Sequence, residues 1–295
     1  MADGREAAAI FAPAKINLFL HVTGRRADGY HLLDSIFLYL DLADRLSAER
    51  APSGTLELAV KGPWGEGLER DTDGNLVVKA ARALMARVEA PSGVRMTLEK
   101  VIPVAGGLGG GSSDAAAALK ALVRLWNVDI DVQTILSLAL ELGADVPACL
   151  DPRPQRIGGI GEELTPLSAA PDWGIVLVNP RVAVPTARVF AAFREARADF
   201  RSPLPERIEW QDIDWIRSET ANDLEAPARA LAPAIGSVLD SIAASAGCRL
   251  ARMSGSGATC FGLYDSTVAA AAAAQGIREA HRDWWVFSGG FFPSP

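Results

Sequence analysis

The chain has 295 residues, about twice the length of an average domain, which predicts two packed domains or one large one and argues against a repeat array or a small disulfide scaffold. With 49% hydrophobic and 22% charged residues, it has the apolar material for a sizeable core and lacks the composition of a disordered chain. A net charge of −7, with Lys and Arg scattered, excludes a basic surface for nucleic acid or an anionic membrane, yet leaves room for a small anionic ligand held locally.

In chain order, alternating and β-branched segments at 10–23 and 34–41 predict two strands joined by the loop TGRRADGYHL, where Gly24, Asp28 and Gly29 mark the turn. TLELAV (55–60) alternates as a strand. Asn75 is positioned to cap a helix in which Leu76, Ala80, Leu84 and Val88 share one face. RMTLEKVIP predicts a further strand, which runs into a glycine-rich loop and then a strong helix ending near Trp126, with Leu119, Leu122, Val123 and Trp126 as its buried stripe. A second helix is predicted at about 131–142.

Pro and Gly cluster between 147 and 171, which puts the domain junction there, near Thr165. Beyond it the pattern predicts a strand (GIVLVNP), a helix from Thr186, a Pro-rich connection at 202–205 and a helix over 233–246. A strand, a glycine turn, a strand, a helix and a strand then complete the chain, so the class is α+β. Cys149, Cys248 and Cys260 are odd in number and form no CxxC pair, so neither a disulfide framework nor a zinc site is expected, and a reducing cytoplasm fits best. The N-terminus, with Asp3 and Glu6, lacks the layout of a signal peptide, and no apolar run approaches the roughly 20 residues of a membrane helix, so a soluble, unexported chain is expected.

Residues 106–111 read GGLGGG and are followed by Ser112, Ser113 and Asp114 at the start of the strong helix. Glycines let successive N–H groups turn toward one point, and a helix N-terminus adds unpaired donors and a positive dipole end, an arrangement suited to a polyphosphate. Backbone donors do this without a basic surface. The two best-known phosphate loops do not match: Ser112 stands where the GxxxxGK[ST] pattern needs Lys, and no GxGxxG frame closes on glycine. The alternative is a flexible linker, which five glycines in six positions between a strand and a helix disfavour. A second glycine cluster, MSGSGATCFGLY (253–264), reads by itself as a tight hairpin.

Together PAKINLFL (13–20), PVAGGLGGGSSDAA (103–116) and MSGSGATCFG (253–262) resemble the GHMP kinase superfamily in sequence, order and separation. PAKINLFLHVTGRRADGYHLLDS, NLVVKAARAL and LGADVPACL resemble the branch of it that phosphorylates a CDP-linked methylerythritol, and the likeness covers nearly the whole chain. It implies a two-domain GHMP kinase fold, with a ribosomal protein S5 domain 2-like, ATP-binding domain over 1–165 and a ferredoxin-like, substrate-binding domain over 166–295. The implied reaction transfers a phosphoryl group from ATP, with Mg²⁺, to the tertiary 2-hydroxyl of that small molecule, in a monomer or homodimer.

The resemblance implies Asp145 as general base and Lys15 as its basic neighbour, able to hold the carboxylate ionised and offset charge on the transferring group. It implies ATP binding by Pro103, Gly106, Gly107, Leu108, Gly109, Gly110, Gly111, Ser112 and Ser113, with Asn75 and Lys100, and Ser113 as a Mg²⁺ ligand. Substrate binding falls to Asn17, Tyr30, His31, Thr186 and Phe190, with Tyr30 and Phe190 stacking and His31 pairing with the cytosine edge. On residue chemistry alone, Asp145 reads first as a helix cap before Pro147 and Lys15 as a solvated strand residue, while His31 also reads as a water-exposed loop residue and Phe190 as helix core. His21 and His281 read as structural. The chain departs from the resemblance at Pro152, Arg153 and Pro154, where a small Gly-x-Ala turn is expected.

Overall fold

The computed structural model describes residues 8–68, 74–196 and 199–293, so Asp3 and Glu6 of the N-terminal reading lie outside the described residues. The chain divides into two compact units. Met1–Ala14, Leu42–Val104 and Gly109–Pro152 form the first, and Lys15–Asp41, Ala105–Leu108 and Arg153–Pro295 form the second. Two long strands, β1 (Ala8–Arg25) and β2 (His31–Ala51), contribute to both. β2 runs ten residues beyond its predicted end because burial keeps alternating past Asp41: Leu42, Asp44, Leu46 and Ala48 face inward. Asp44 looks like a strand breaker in sequence and is tolerated because buried partners satisfy both its oxygens.

In the first unit, Arg45–Ala51 of β2 pairs antiparallel with β4 (Gly93–Glu99), which pairs parallel with β3 (Leu56–Lys61). Helix α1 (Leu76–Arg87) starts where Asn75 Oδ1 accepts the Val77 N–H at 2.9 Å, and it buries Val77, Ala80, Ala81 and Leu84. Helix α2 (Gly110–Trp126) is alanine-rich and packs against α1, α3 (Val132–Leu142) and α4 (Val146–Leu150). Leu119, Leu122 and Trp126 are buried as predicted, while Val123 is half-buried and Leu125 takes its inward position. Each large apolar side chain so buried contributes roughly 1.5–3 kcal/mol.

In the second unit, Ser35–Phe37 of β2 pairs with β5 (Gln155–Gly158), which forms a hairpin with β6 (Glu163–Pro166). The Pro- and Gly-rich stretch at 147–171 is therefore largely structured: it contains α4 and this hairpin, and Leu167 N–H donates to Pro154 O at 2.8 Å. β7 (Gly174–Asn179) leads to α5 (Thr186–Glu195), and two helices of seven residues, α6 (Ile213–Glu219) and α7 (Glu225–Leu231), follow. Neither short helix was predicted, since two turns are too few to establish a helical period. After α8 (Ala234–Ala244) come β8 (Leu250–Met253), β9 (Cys260–Tyr264), α9 (Thr267–Ala280) and β10 (Trp285–Gly289). The antiparallel sheet order β10-β7-β9-β8, with α8 and α9 packed on it, is the expected ferredoxin-like arrangement. Its core includes Val176, Val178, Val189, Phe193, Val238 and Ile242.

Candidate active site

Within the glycine segment, Ala105, Gly107 and Gly109 have φ of 54°, 76° and 65°. The left-handed Gly109 begins α2 without a side-chain cap, and the first turn carries no acidic residue. A 17-residue helix thus presents its positive end and uncapped donors directly after the glycines. Pro103, Gly106 and Leu108 are buried, Gly107, Gly109, Gly110 and Ser112 are half-buried, and Gly111 is exposed. Ser113 lies inside: its hydroxyl donates to Pro13 O at 2.7 Å and sits 3.4 Å from Cys149 Sγ.

The second glycine cluster is the predicted hairpin and also a support for the first. Ser254 Oγ donates to Gly107 O at 2.9 Å, Thr259 N–H donates to Gly106 O at 3.1 Å, and Lys15 N–H donates to Leu108 O at 2.8 Å. A Cβ on Gly107 would lie 2.5 Å from Ser254 O, so only glycine fits that approach. Asn222 Nδ2 donates to Met253 O and Gly255 O, both at 2.8 Å, and holds the cluster's shape.

Lys15 is not a solvated strand residue. It is 4% exposed, its ammonium donates to Asn17 Oδ1 at 2.7 Å, and it lies 4.0 Å above the Phe37 ring centroid. Asn17 Nδ2 donates to Ser35 Oγ at 2.9 Å, and Asn17 N–H donates to Ser254 Oγ at 3.2 Å. Asp145 occupies the N-cap position of α4 and makes no side-chain capping bond there. Lys15 belongs to the second unit and Asp145 to the first.

Lys100 is 3% exposed, with its ammonium bonded to Asp44 Oδ2 and, at 2.7 Å, to Asp114 Oδ2. Burial lowers its pKa, but the two carboxylates more than offset this, and the net shift is upward. Burial, reinforced by Asp44 and opposed by Lys100, pushes the Asp114 carboxyl up to about 7.

His31 is 8% exposed and stacks on Phe190, ring centroids 4.8 Å apart and planes 21° apart, with Phe193 edge-on at 6.0 Å. Phe190 thus combines both readings, ring stacking and packing against the core of the second unit. His31 Nε2 is buried and has no hydrogen-bond partner among the described residues, while neighbouring Tyr30 is 59% exposed. Thr186 Oγ1 lies 2.8 Å from Ser256 Oγ, which ties the start of α5 to the second glycine cluster.

Burial, then Arg25 and Arg194, lower the His31 pKa below its ordinary 6.5 and keep the ring neutral near pH 7. Burial likewise lowers that of His21, whose Nε2 accepts the Ala221 N–H at 3.2 Å. Below about pH 6.5 the unfolded chain binds more protons than the native state at these sites, so their contribution to stability falls on acidification. Asp114, raised to about 7 from 3.8, acts in the opposite sense: its contribution is present at acid pH and is lost as pH rises through that interval. The histidine contribution is therefore read by difference. Melting curves from pH 7.5 to 5 should show wild type losing more stability on acidification than His31→Asn, and parallel curves would reject a lowered His31 pKa.

Sequence reasoning did not single out Asp44, Asp114, Asn222, Ser254 or Ser256. The serines lay within the 253–262 segment already quoted, and the alternation that extends β2 marks Asp44 as an inward position. Nothing local marks Asn222.

A glycine segment opening an uncapped helix, in an α+β chain with a ferredoxin-like unit, is the arrangement of the GHMP kinases. Residues 75–151 match the family model described as GHMP kinases N terminal domain, and residues 192–283 match GHMP kinases C terminal. The 4-diphosphocytidyl-2-C-methyl-D-erythritol kinase of Cereibacter sphaeroides is 51% identical over 281 residues, covering 94% of this chain and 96% of its own. The protein of the same name from Gluconacetobacter diazotrophicus is 47% identical, covering 96% of this chain and 95% of its own. The chain belongs to the 4-diphosphocytidyl-2-C-methyl-D-erythritol kinase family. A crystal structure of a 4-(cytidine 5'-diphospho)-2C-methyl-D-erythritol kinase is similar at a TM-score of 0.79 and 38% identity, covering 97% of this chain and 99% of its own. The homoserine kinase of Cytophaga hutchinsonii, at TM-score 0.74 and 18% identity over 99% of this chain and 96% of its own, shares the fold.

Proposed function

We propose that this protein transfers the γ-phosphoryl group of ATP to the 2-hydroxyl of 4-diphosphocytidyl-2-C-methyl-D-erythritol, giving the 2-phosphate and ADP, a step in non-mevalonate isoprenoid precursor synthesis. The domain division falls near residue 165, with an ATP-binding domain before it, which also carries Asn17, Tyr30 and His31 for the substrate, and a substrate-binding domain after it. The two family models, 75–151 and 192–283, fall on either side of that boundary. The buried His31–Phe190 stack carries the substrate reading, because it offers an aromatic face and an unengaged ring nitrogen suited to cytosine. Tyr30 adds a second, exposed face beside it. Asn17, held by Lys15 and Ser35, and Thr186 complete the substrate contacts.

The nucleotide phosphates dock on the donors of Gly106–Ser113, with Pro103 shaping the entry and Asn75 and Lys100 nearby. Asp145 accepts the proton of the tertiary hydroxyl, and Lys15 stabilises charge on the transferring group. Mg²⁺, when bound, neutralises triphosphate charge, and we assign Ser113 Oγ as its protein ligand. That hydroxyl gives its proton to Pro13 O and keeps lone pairs. Among the described residues no group of three or more His, Cys, Asp and Glu is arranged to hold a metal.

No helix among the described residues is long and apolar enough to cross a membrane. The free thiols Cys149, Cys248 and Cys260 support a reducing, cytoplasmic setting for an enzyme whose partners are two small molecules.

ADP release measured with 4-diphosphocytidyl-2-C-methyl-D-erythritol, mevalonate, homoserine and galactose tests the reading. Turnover is expected with the first alone; turnover confined to another alcohol replaces the substrate assignment, and none with any removes the kinase reading. His31→Ala is expected to raise KM for the CDP-linked substrate by about tenfold or more with little change in ATP binding, and an unchanged KM removes His31 from cytosine recognition.

A further inference from the structure

Lys100 stands immediately after β4 and Asp114 lies in the second turn of α2, so the salt bridge between them spans the two ends of the glycine segment. Asp44, on β2, bonds the same ammonium through Oδ2. Its Oδ1 accepts the N–H groups of Val101 at 2.6 Å and Ile102 at 2.9 Å, which lead from β4 into the segment. All three side chains are nearly inaccessible, and a Cβ on Gly110 would lie 3.3 Å from Lys100 Nζ, so the first residue of α2 packs directly over the ammonium. Asp114 Oδ1 has no hydrogen-bond partner among the described residues. A buried arrangement of this kind is an expensive way to gain stability, and apolar residues of similar volume often do as well; what it offers instead is a fixed register between elements.

We infer that Asp44 and Asp114 are positioning residues: by sharing Lys100 they hold the end of β4 and the start of α2 in the register that aims the glycine-segment donors at the nucleotide. The inference rests on the nucleotide reading of that segment. Neither carboxylate touches ATP, and both act through Lys100.

The test uses the full-length protein and separate kcat and KM values for ATP and the CDP-linked substrate. Asp114→Ala is expected to raise the ATP KM about tenfold while the second substrate's KM stays within about twofold, and Asp114→Asn, which still accepts a bond from Lys100, should recover most of the loss. Because the residues form one unit, Lys100→Met combined with Asp114→Ala should be no worse for ATP than Lys100→Met alone. Should Asp114→Ala fail to fold, Asp114→Ser and Asp44→Asn carry the same comparison. A purely structural role predicts lower melting temperature with both KM values unchanged or raised together. That result, or losses that multiply in the double variant, overturns the inference. Gly107→Ala separates the two possible failures. If it too leaves the ATP KM unchanged, the nucleotide reading of the segment fails; if it raises that KM while the carboxylate variants do not, only the positioning role fails.

Discussion

Replacing Asp145 by Asn is expected to lower turnover by roughly 10²–10⁴-fold while the CDP-linked substrate still binds. A tertiary hydroxyl is crowded and weakly acidic, so a nearby acceptor for its proton matters, and an amide of the same shape cannot be that acceptor. Asn keeps the size and shape of Asp, so the substitution removes the carboxylate without leaving a cavity. Asp145 makes no side-chain capping bond to α4, a helix of only five residues, and Asn serves an N-cap position as well as Asp. Single-turnover ADP release measures the loss, and calorimetric titration with substrate in the absence of ATP measures retained binding. Near wild-type turnover would remove Asp145 from the base role, whereas loss of both binding and turnover would assign it to substrate positioning.

Gly107→Ala should give the second large effect, on nucleotide binding. At φ 76° any side chain costs about 1–3 kcal/mol of backbone strain. The added Cβ would meet Ser254 O at 2.5 Å and Gly257 O at 3.0 Å, both backbone atoms, so the two glycine clusters must separate. Separation breaks the Ser254–Gly107 and Thr259–Gly106 hydrogen bonds and lets the phosphate-facing donors drift. The ATP KM is expected to rise by about tenfold to a hundredfold, with a loss of stability of a few kcal/mol at most. Gly276→Ala is the control: it lies in α9 with nothing within 4 Å of the new Cβ, so it should be neutral or gain up to about 1 kcal/mol. A Gly107→Ala enzyme with unchanged ATP affinity would remove the glycine segment from nucleotide binding.

The helix announced by a cap was legible, since Asn75 accepts an N–H from the turn it begins, as Asp131, not singled out in the sequence, does for the next helix. So were the strands and longer helices of the second half, where the two periods stay separate, while their ferredoxin-like arrangement came from the resemblance. The last ten residues of β2 were missed because a buried Asp44 is acceptable in a strand only where Lys100 and the N–H groups after it, far along the chain, satisfy it. The β5–β6 hairpin was hidden by prolines and glycines that sit at its ends and turn. The glycine segment opening a helix was readable from glycine spacing and the apolar stripe that follows. The roles proposed for Lys15, Asp145 and His31 were not readable in this way, because residue chemistry alone did not select them and only the resemblance did. Asn222 escaped both routes: its value lies in two carbonyls of the 253–255 segment, which local pattern cannot connect to it.

The uncapped start of α2 also bears on inhibition. A compound that hydrogen-bonds to the main-chain donors there engages groups that no codon specifies. A changed side chain leaves those N–H groups in place, and one added at Gly107, two residues before the Gly109 cap, would meet Ser254 O at 2.5 Å.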